Sequence, residues 1–304
     1  MLDVVVIGGG PAGLSAALML GRCRRRVVVC DAGRPRNAAA QALHGYLTRD
    51  GLPPVELLRL AREELRPYGV ELRHVSVAGI VCAPDSFDVQ LDTGEWLTAR
   101  KVLVATGARD HLPEIEGLSE CYGITVHHCP YCDGWEVRDR PIAVIGQGAS
   151  GAGLALSLKT WSERVVLCAN GRARIRSAHR TQLAAHGVLV VERGVARLDH
   201  AEGHVRALVL DTGDRVACDA VFVSTRQTPQ SDLPRRLGCE LTQKGTVKTD
   251  HLGQTRVPGL YVVGDASRDV QFVVVAAAEG AKAAVAINQS LQASAGLAVA
   301  PAHS

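Results

Sequence analysis

Two cysteines, Cys129 and Cys132, stand three positions apart and are flanked by side chains that handle protons. Cysteines at this spacing can close a small disulfide ring, and nearby charge readily tunes the pKa of their thiols. His127 and His128, directly before the pair, can lower a thiol pKa or carry its proton. Asp133, directly after it, can serve as a general acid or base. Together these five residues predict a redox-active dithiol.

Three other interpretations of the cysteine pair stay open. Zinc binding would need four ligands from six consecutive residues, which the chain can scarcely wrap into a tetrahedron. A thioredoxin-type module would need a preceding βα unit, whereas here a nucleotide motif follows the pair. A buried, inert pair would put two histidines and an aspartate into a dry core. We favour the redox centre, and we expect Tyr131 and Trp135 to be packing residues rather than catalysts.

The start of the chain has the pattern of a dinucleotide-binding unit. A buried strand from Val4 leads to Gly8, Gly10 and Gly13, which are spaced as G-x-G-x-x-G at the start of a helix. Such glycines let a backbone approach a pyrophosphate, and the helix N-terminus offers unpaired N–H groups. Asp31 ends the next strand, about 20 residues after the glycines, where a carboxylate binds ribose hydroxyls. The agreement of strand, glycines, helix and acid favours a nucleotide site over a tight turn without a ligand.

The second half of the chain repeats this plan. Aligning Gly8 with Gly146 superposes the glycine motif and the strand after it without a gap, and a second alignment matches a later β-meander and its closing strand. The second unit lacks the ribose-binding acid, because Ala169 stands at the position of Asp31. We therefore predict an altered second nucleotide site.

A long cation also changes this second unit, since Arg226 stands where the first unit has Gly107. An opposite interpretation stays open, because loss of the acid next to Arg172 and Arg174 is also how a site accepts the 2′-phosphate of NADP.

The C-terminal part carries a third nucleotide signal. A strand ends in Gly264 and Asp265, and an apolar helix follows around Val273 to Asn288. A carboxylate at a strand end and a helix N-terminus can hold the ribityl chain and the carbonyl edge of a flavin. The first domain therefore closes only when the C-terminal segment returns to it.

Length and composition agree with two globular domains. The chain has 304 residues, of which 47% are hydrophobic and 21% charged. We predict an α/β fold of two Rossmann-like dinucleotide-binding domains, each in three layers (ββα), with the second domain inserted into the first. The predicted domains are residues 1–117 with 243–304, and residues 118–242.

Several classes of function are not expected. The formal charge of +3 is small, so no nucleic-acid partner is predicted. The first strand begins at Val4 and leaves no room for a signal peptide, so we expect a cytoplasmic protein. The longest apolar run, Phe272 to Ala278, is far shorter than the about 20 residues of a membrane span. Nine cysteines, an odd number at irregular spacings, argue against a structural disulfide framework.

The order and spacing of these motifs resemble the low-molecular-weight thioredoxin reductases and their relatives, over nearly the whole chain. The resemblance implies a thioredoxin reductase-like homodimer with FAD on the first domain and the dithiol on the second. It implies that Cys132 is the thiol nearest the flavin, that Cys129 exchanges with substrate and that Asp133 manages its proton. The FAD-binding positions implied by the motifs are Gly8, Gly10, Pro11, Ala12, Gly13, Asp31, Ala105, Thr106, Gly107, Gly264, Asp265, Gln271, Phe272 and Val273.

The departures from that family concern NADPH. Its reductases carry a His-Arg-Arg run for NADPH where this chain has Ala169, Asn170 and Gly171, and a glycine where it has Arg226. The use of NADPH therefore stays an open question.

The form His-Cys-Pro-Tyr-Cys is similar to that of the dithiol oxidases that close disulfides in gliotoxin, holomycin and romidepsin and reoxidise their flavin with oxygen. We favour such an oxidase, acting on a small-molecule dithiol or a thioredoxin-like protein. The alternative is an NADPH-dependent, thioredoxin reductase-like disulfide reductase. A flavin-binding scaffold or redox sensor without turnover is a third possibility.

Overall fold

The computed structural model describes residues 1–267 and 270–297 and divides into two compact units. The first unit is built from three stretches of chain and the second from two. The first comprises residues 1–38, 54–109 and 228 onward, and the second comprises residues 39–53 and 110–227.

The helices and strands follow in chain order. The first are β1 (Leu2–Ile7), α1 (Pro11–Arg22), β2 (Val27–Cys30), α2 (Pro54–Leu65), a 3₁₀ turn (Arg66–Tyr68), β3 (Glu71–Arg73), β4 (Val77–Ala83), β5 (Ser86–Leu91), β6 (Trp96–Val104) and β7 (Ala108–His111). The next are α3 (Leu118–Cys121), β8 (Val126–His127), α4 (Pro130–Asp133), β9 (Ile142–Ile145), α5 (Gly148–Leu158), β10 (Val165–Cys168), α6 (Ser177–Ala185), β11 (Leu189–Val191), β12 (Val195–Ala201), β13 (His204–Leu210), β14 (Arg215–Ala217), β15 (Ala220–Val223) and β16 (Arg226–Pro229). The last are α7 (Leu233–Arg236), β17 (Leu260–Val262), a 3₁₀ turn (Gly264–Ala266) and α8 (Val273–Ser294).

The first unit is a three-layer sandwich around a sheet of order β3-β2-β1-β6-β5-β4, with β17 also paired to β6. The strands β3, β2, β1, β6 and β17 are parallel, and β4, β5 and β6 form an antiparallel meander. Successive residues of β1 face opposite sides. Val4 and Val6 pack with helices α1, α2 and α8, whereas Val5 and Ile7 pack with the meander. This alternation explains why β1 is apolar throughout.

The second unit has the same layers. Its parallel sheet has the order β11-β10-β9-β15-β8, and β12, β13 and β14 form a separate antiparallel sheet. Ile142 and Val144 of β9 pack with helices α5 and α6, whereas Ala143 and Ile145 pack with the antiparallel sheet. The predicted α/β fold with two ββα dinucleotide-type domains is therefore confirmed.

Helix α8 is held against α1 by small residues. A Cβ added to Gly280 would lie 2.0 Å from the carbonyl oxygen of Ala12, so only glycine allows this approach. Ala276 and Ala283 lie in the same buried cluster. The C-terminal helix is thus part of the core of the first unit, as its apolar sequence indicated.

Within residues 1–267 and 270–297, no helix combines the length and the apolar composition that crossing a bilayer requires.

A segment inside the predicted first domain, residues 39–53, groups with the second unit. A Cβ added to Gly123 would lie 2.3 Å from the carbonyl oxygen of Ala39, which shows how closely the two backbones approach. His44 of this segment lies 3.5 Å from Glu136, measured from Nε2 to Oε1. The segment carries no apolar periodicity, so the sequence offered no sign of this placement.

The chain also passes between the units at other points than the predicted boundaries. Ile115 packs into a core cluster of the second unit, so that unit begins at residue 110 rather than 118. Leu233 and Cys239 pack into a core cluster of the first unit, which therefore resumes at residue 228 rather than 243. Apolar side chains close to each crossing therefore belong to the core of the unit that the chain enters.

Candidate active site

A disulfide joins Cys129 and Cys132, whose Cα atoms are 5.3 Å apart. Cys129 caps the single turn α4, and the backbone N–H groups of Cys132 and Asp133 both donate to the Cys129 carbonyl oxygen at 3.2 Å. Pro130 occupies the first helical position, where its missing N–H costs nothing. The sequence Cys-Pro-Tyr-Cys thus folds into a turn that holds the two sulfurs within bonding reach.

The glycine after this turn is required by packing. A Cβ added to Gly134 would lie 2.5 Å from the Pro130 carbonyl oxygen and 2.7 Å from the Trp161 ring. Its N–H donates to that same Pro130 oxygen at 2.8 Å. The Asp-Gly sequence after the cysteines therefore lets the redox turn close against Trp161.

A buried histidine contacts the acid beside the disulfide. Nδ1 of His127 lies 3.3 Å from Oδ1 of Asp133, and only 8% of His127 is exposed. Strand β8 carries this histidine next to Phe222 of β15, with 5.5 Å between the ring centroids. The His127 ring is therefore fixed by a strand and by an aromatic neighbour, and it can hold the Asp133 carboxylate in one orientation.

His128, the other predicted histidine, has a different neighbour. Its Nδ1 atom is 2.9 Å from the hydroxyl oxygen of Tyr122, and the two rings are stacked with centroids 6.1 Å apart. The contact to Asp133 is thus made by His127. A sequence of two adjacent histidines could not tell them apart, because successive residues near a strand end point in opposite directions.

The two aromatic residues of the motif are largely exposed. Tyr131 is 70% exposed and meets Trp161 edge to face, with centroids 5.6 Å apart. Trp135 is 64% exposed and lies under the guanidinium of Arg138 at 4.2 Å. Each ring therefore makes a packing contact of the expected kind, although both side chains are largely exposed.

The zinc interpretation of the motif has no support in the structure. Cys129 and Cys132 are joined to each other. Among the described residues, no group of three or more histidine, cysteine, aspartate or glutamate side chains is arranged to hold a metal ion.

Three buried cysteines outside the pair have thiols of low reactivity. Burial raises the pKa of the Cys30 thiol to about 11, and that of Cys168 and of Cys218 to about 12. The thiolate is the reactive form, so these thiols are inert near neutral pH.

The glycine turn of the first unit combines close packing with open space. A Cβ added to Gly8 would lie 2.4 Å from the Ala105 carbonyl oxygen, and one added to Gly13 would lie 1.9 Å from the Gly8 carbonyl oxygen. A Cβ added to Gly10, in contrast, would meet no atom of the described residues within 4 Å, its chain neighbours aside. Gly10 caps helix α1, whose first residue is Pro11. The turn therefore leaves room at a helix N-terminus, and this fits a pyrophosphate.

Asp31 lies beside this turn. A Cβ added to Gly9 would lie 2.4 Å from Oδ2 of Asp31. The other carboxylate oxygen accepts the Gly33 N–H at 3.2 Å, and Arg62 of α2 donates to Oδ2 at 2.9 Å. The acid is thus oriented at the end of β2, next to the glycines, as a ribose-binding carboxylate requires.

The end of β6 lies against the same turn. The Ala105 N–H donates to the Ile7 carbonyl oxygen at 2.8 Å, and Thr106 and Gly107 follow. Gly107 has φ +74°, and within the described part of the chain a Cβ added to it would meet no atom closer than 4 Å, its chain neighbours aside. This glycine, too, borders open space.

The C-terminal residues form the last part of this candidate cofactor site. Nη1 of Arg36 donates to Oδ2 of Asp265 at 2.9 Å and to Oε1 of Gln271 at 2.6 Å. The Gly264 N–H donates to Oε2 of Glu279 at 2.8 Å. Phe272 caps α8, which begins at Val273. Asp265 and the start of helix α8, both predicted to bind the flavin, are therefore linked through Arg36.

Sequence analysis missed Arg36 and Glu279. Arg36 is separated from Asp265 by 229 positions and Glu279 from Gly264 by 15. Neither separation matches a motif with a known spacing, although two arginines around a proline, Arg34-Pro-Arg36, mark the segment in the sequence.

The second glycine unit differs from the first where the sequence indicated. Ala169 is fully buried at the end of β10, so no carboxylate stands there. Arg226 is exposed at the start of β16. The hydroxyl groups of Ser150 and Ser224 lie 2.6 Å apart where the first unit has Ala12 and Ala105. These residues do not fit a ribose in the way that Asp31 does.

Two glycine turns in ββα units and a redox-capable cysteine pair define a class of protein, the nucleotide-dependent disulfide oxidoreductases. The family model described as pyridine nucleotide-disulphide oxidoreductase matches residues 2–280. The chain belongs to this family and is an oxidoreductase of the thioredoxin reductase-like type.

Individual relatives agree with this assignment. Thioredoxin reductase sirT of Leptosphaeria maculans is 30% identical over an alignment of 315 positions that covers 95% of this chain and 94% of that relative. The crystal structure of HlmI matches with a TM-score of 0.93 at 41% identity and covers 97% of this chain and 95% of that one. The thioredoxin reductase of Streptococcus pyogenes MGAS5005 has a TM-score of 0.90 at 24% identity over 96% of this chain and 99% of its own, which shows likeness of fold alone. The resemblance seen in the motifs is therefore confirmed.

Proposed function

We propose that this protein is an FAD-dependent dithiol oxidase that closes a disulfide in its substrate and passes the electrons to oxygen. The observation that carries the direction of electron flow is the buried Ala169, which leaves the second nucleotide unit without a ribose-binding carboxylate. The substrate class is a dithiol, either a small molecule or a thioredoxin-like protein.

The cysteine pair can carry out the thiol chemistry by two exchanges. A substrate thiolate attacks Sγ of Cys129, the Cys129–Cys132 bond breaks, and Cys132 leaves as a thiolate. The second substrate thiol then attacks the substrate sulfur of the mixed disulfide, so the substrate disulfide forms and Cys129 is released. Two electrons and two protons have passed to the enzyme, whose cysteines are now a dithiol.

Asp133 is placed to manage the protons of this exchange. Its backbone N–H is bonded to the Cys129 carbonyl oxygen, and its carboxylate is held by His127 at 3.3 Å. A carboxylate on the residue next to Cys132 can accept a proton from an incoming thiol and return it to a leaving thiolate. His127 acts through Asp133 and is a positioning residue.

FAD is the expected cofactor of the first unit. Gly10 and Gly107 border open space at the glycine turn, and Asp31 offers a carboxylate beside it. Asp265 and the start of α8 would hold the ribityl chain and the carbonyl edge. When bound, FAD supplies a two-electron acceptor that can be reoxidised by oxygen. The substrate chemistry itself is done by the cysteines.

NADPH has a poorer fit to the second unit. Replacement of a carboxylate that accepts two ribose hydrogen bonds forfeits about 1 to 3 kcal/mol, or about tenfold or more in affinity. Arg226 adds a long exposed side chain where the first unit has Gly107. No step of the proposed reaction runs through this nucleotide.

The second candidate is a disulfide reductase driven by NADPH. The exposed arginines Arg172, Arg174 and Arg226 favour it, because a cationic edge without an acid can accept a 2′-phosphate. The relative sirT carries the name thioredoxin reductase, which also favours this alternative. In that case the electrons would leave the cysteines for a disulfide substrate.

Oxygen consumption tests the proposal. Purified holoenzyme supplied with dithiothreitol under air should consume oxygen and release one peroxide for each disulfide formed. Cys129→Ser enzyme is the matched control and should consume none. Oxygen uptake no faster than in that control would reject the oxidase.

A further inference from the structure

The second glycine turn does not have the backbone conformation of the first. In the first unit Gly8 has φ +110° and Gly10 has φ −80°. In the second unit the counterpart of Gly10 is Gly148, with φ +61°. Helix α5 accordingly begins at Gly148, whereas α1 begins after Gly10. The N–H groups of the second turn therefore point differently.

A loop of the chain takes up one of those N–H groups. The Gly148 N–H donates to the carbonyl oxygen of Ala173 at 2.7 Å. In a dinucleotide site the amides at this helix start are left for a pyrophosphate. A Cβ added to Gly148 would lie 3.9 Å from the Arg174 carbonyl oxygen, whereas one added to Gly10 would meet none of the described residues within 4 Å beyond its chain neighbours. The loop after β10 covers the second turn, and the first turn is open.

This covering loop is fastened at its middle. Ala173 is fully buried, and its own N–H donates to Oε1 of Glu192 at 2.9 Å. The other oxygen of Glu192 accepts from Arg180 at 3.1 Å. Two backbone hydrogen bonds therefore hold Ala173 in place, one accepted by its carbonyl oxygen from Gly148 and one donated by its N–H to Glu192.

Gln147 fastens the other end of the loop. Its Nε2 atom donates to the carbonyl oxygens of Ala169 and Asn170 at 3.0 and 3.2 Å. Gln147 is the counterpart of Gly9, and a Cβ added to Gly9 would lie 2.4 Å from the Asp31 carboxylate. A side chain at this position therefore points at the strand end where the ribose-binding acid stands.

The two units differ at two positions that contact each other, and the two differences belong together. The first unit combines no side chain at Gly9 with an acid at Asp31. The second combines an amide side chain at Gln147 with Ala169, and the amide satisfies the strand-end carbonyl groups. A hydrogen-bond donor has taken the place of the acceptor that a ribose diol needs.

We propose that Gln147 and residues 169–173 are a built-in occupant of the second nucleotide site. The Ala173 carbonyl takes the helix-start amide that a pyrophosphate would use, and the Gln147 amide takes the strand end that a ribose would use. Arg172 belongs to the covering loop itself and is exposed. The inference rests on the proposed oxidase function, since a pyridine-nucleotide reductase would need this site open.

Calorimetric titration of the holoenzyme with NADP⁺ and with NAD⁺ tests the proposal. The wild type should bind neither at about 1 mM nucleotide. Gln147→Gly/Ala169→Asp enzyme restores the pair of the first unit, and it should bind with a gain of about tenfold or more. It should favour NAD⁺ over NADP⁺, because a carboxylate accepts from a 2′-hydroxyl and repels a 2′-phosphate. Gln41→Gly, at an exposed glutamine of the same unit, is the matched control and should gain nothing.

Hydrogen exchange provides a second readout that does not depend on nucleotide. The Gly148 amide and the amides of residues 170–173 should exchange slowly in the wild type and about tenfold faster or more in Gln147→Gly enzyme. Equal exchange in the two proteins would overturn the inference. The inference would also be overturned if the amides of residues 170–173 exchanged faster in the double variant and nucleotide binding did not increase.

The remaining outcomes separate this inference from the proposed function. Wild-type enzyme that binds NADP⁺ would show that the site is open and would overturn the occupant. The oxidase would fall as well only if NADPH also bleached the flavin of that enzyme. If the double variant binds no nucleotide while its dithiol-driven oxygen consumption persists, the built-in occupant is rejected and the proposed oxidase function stands.

Discussion

The Nδ1 atom of His127 lies 3.3 Å from the Oδ1 atom of Asp133, the residue directly after Cys132. His127 lies on strand β8, where it is buried against Phe222, and the side chain of Asp133 is 23% exposed. The histidine therefore supports the carboxylate from the protein interior, and part of the Asp133 side chain remains accessible to solvent.

Removing the acid should slow thiol exchange. Asp133→Asn keeps the shape of the side chain and removes the base, so opening of the disulfide by dithiothreitol should be about 100-fold slower near neutral pH. His127→Gln should cause a smaller loss and should shift the pH at which exchange is half maximal. Stopped-flow measurement of disulfide opening from about pH 6 to about pH 9 gives both values.

His128→Gln is the matched control, because its ring contacts Tyr122 at 2.9 Å. It should leave the exchange rate and the pH profile close to those of the wild type. An equal loss in His128→Gln and His127→Gln enzyme would remove the positioning role of His127.

Each cysteine of the pair should be essential for turnover and dispensable for the cofactor. Cys129→Ser and Cys132→Ser should both abolish dithiol oxidation and keep FAD, because exchange requires two sulfurs. Cys30→Ser and Cys168→Ser should keep turnover and lose only stability. Turnover assays with the flavin absorbance of each preparation check this, and activity in either of the first two variants would remove the dithiol from the mechanism.

Loss of open space at the first glycine turn should expel FAD. In Gly10→Val protein the new Cβ lies more than 4 Å from every atom of residues 1–267 and 270–297 except the chain neighbours, so the change should spare the fold and give colourless protein. Asp265→Ala should also lose flavin. Gly153→Ala is the matched control, because a Cβ there meets no atom within 4 Å either. Full flavin occupancy in Gly10→Val protein would show that the cofactor binds elsewhere.

The buried thiol of Cys168 should make stability fall at alkaline pH. Burial raises its pKa from 9.0 to about 12, so the unfolded chain releases this proton first as the pH rises. The neutral thiol makes its full contribution to the free energy of unfolding below pH 9, and this contribution is lost as the pH rises toward 12. In Cys168→Ala protein that loss is absent.

The stability gap between wild type and Cys168→Ala should accordingly shrink above pH 9, by up to about 1.4 kcal/mol per pH unit. Urea unfolding of both proteins at about pH 8 and about pH 10 measures it. A gap that stays constant would mean that the Cys168 thiol ionises normally in the folded protein.

Local patterns were sufficient to predict most of the fold. The apolar strand before Gly8 and the acid after it define one ββα unit, and the repeat of this pattern at Gly146 defines the second. Such signals are readable because the periodicity of strands and the glycine spacing act over short distances. The disulfide turn was predictable for the same reason, since Cys129 and Cys132 are neighbours in sequence.

Contacts over long chain separations were not predictable. Arg36 meets Asp265 across 229 positions, and residues 39–53 group with the second unit although they lie within the first in sequence. Gln147 stands at a variable position of the second glycine motif, to which the motif assigns no role. Its bonds to Ala169 and Asn170 depend on the backbone of the turn, which no residue spacing specifies.

The direction of electron flow is the central claim, and anaerobic bleaching of the flavin absorbance tests it most directly. A dithiol mixed with the holoenzyme should bleach the flavin, and saturating NADPH should bleach it slowly or not at all. Arg226→Gly should leave this contrast unchanged or allow slightly faster reduction by NADPH, since it removes a side chain at the altered site. Bleaching by NADPH within about a second, weakened in Arg226→Gly enzyme, would contradict the account. Arg226 would then be a phosphate ligand, and the protein would be a reductase.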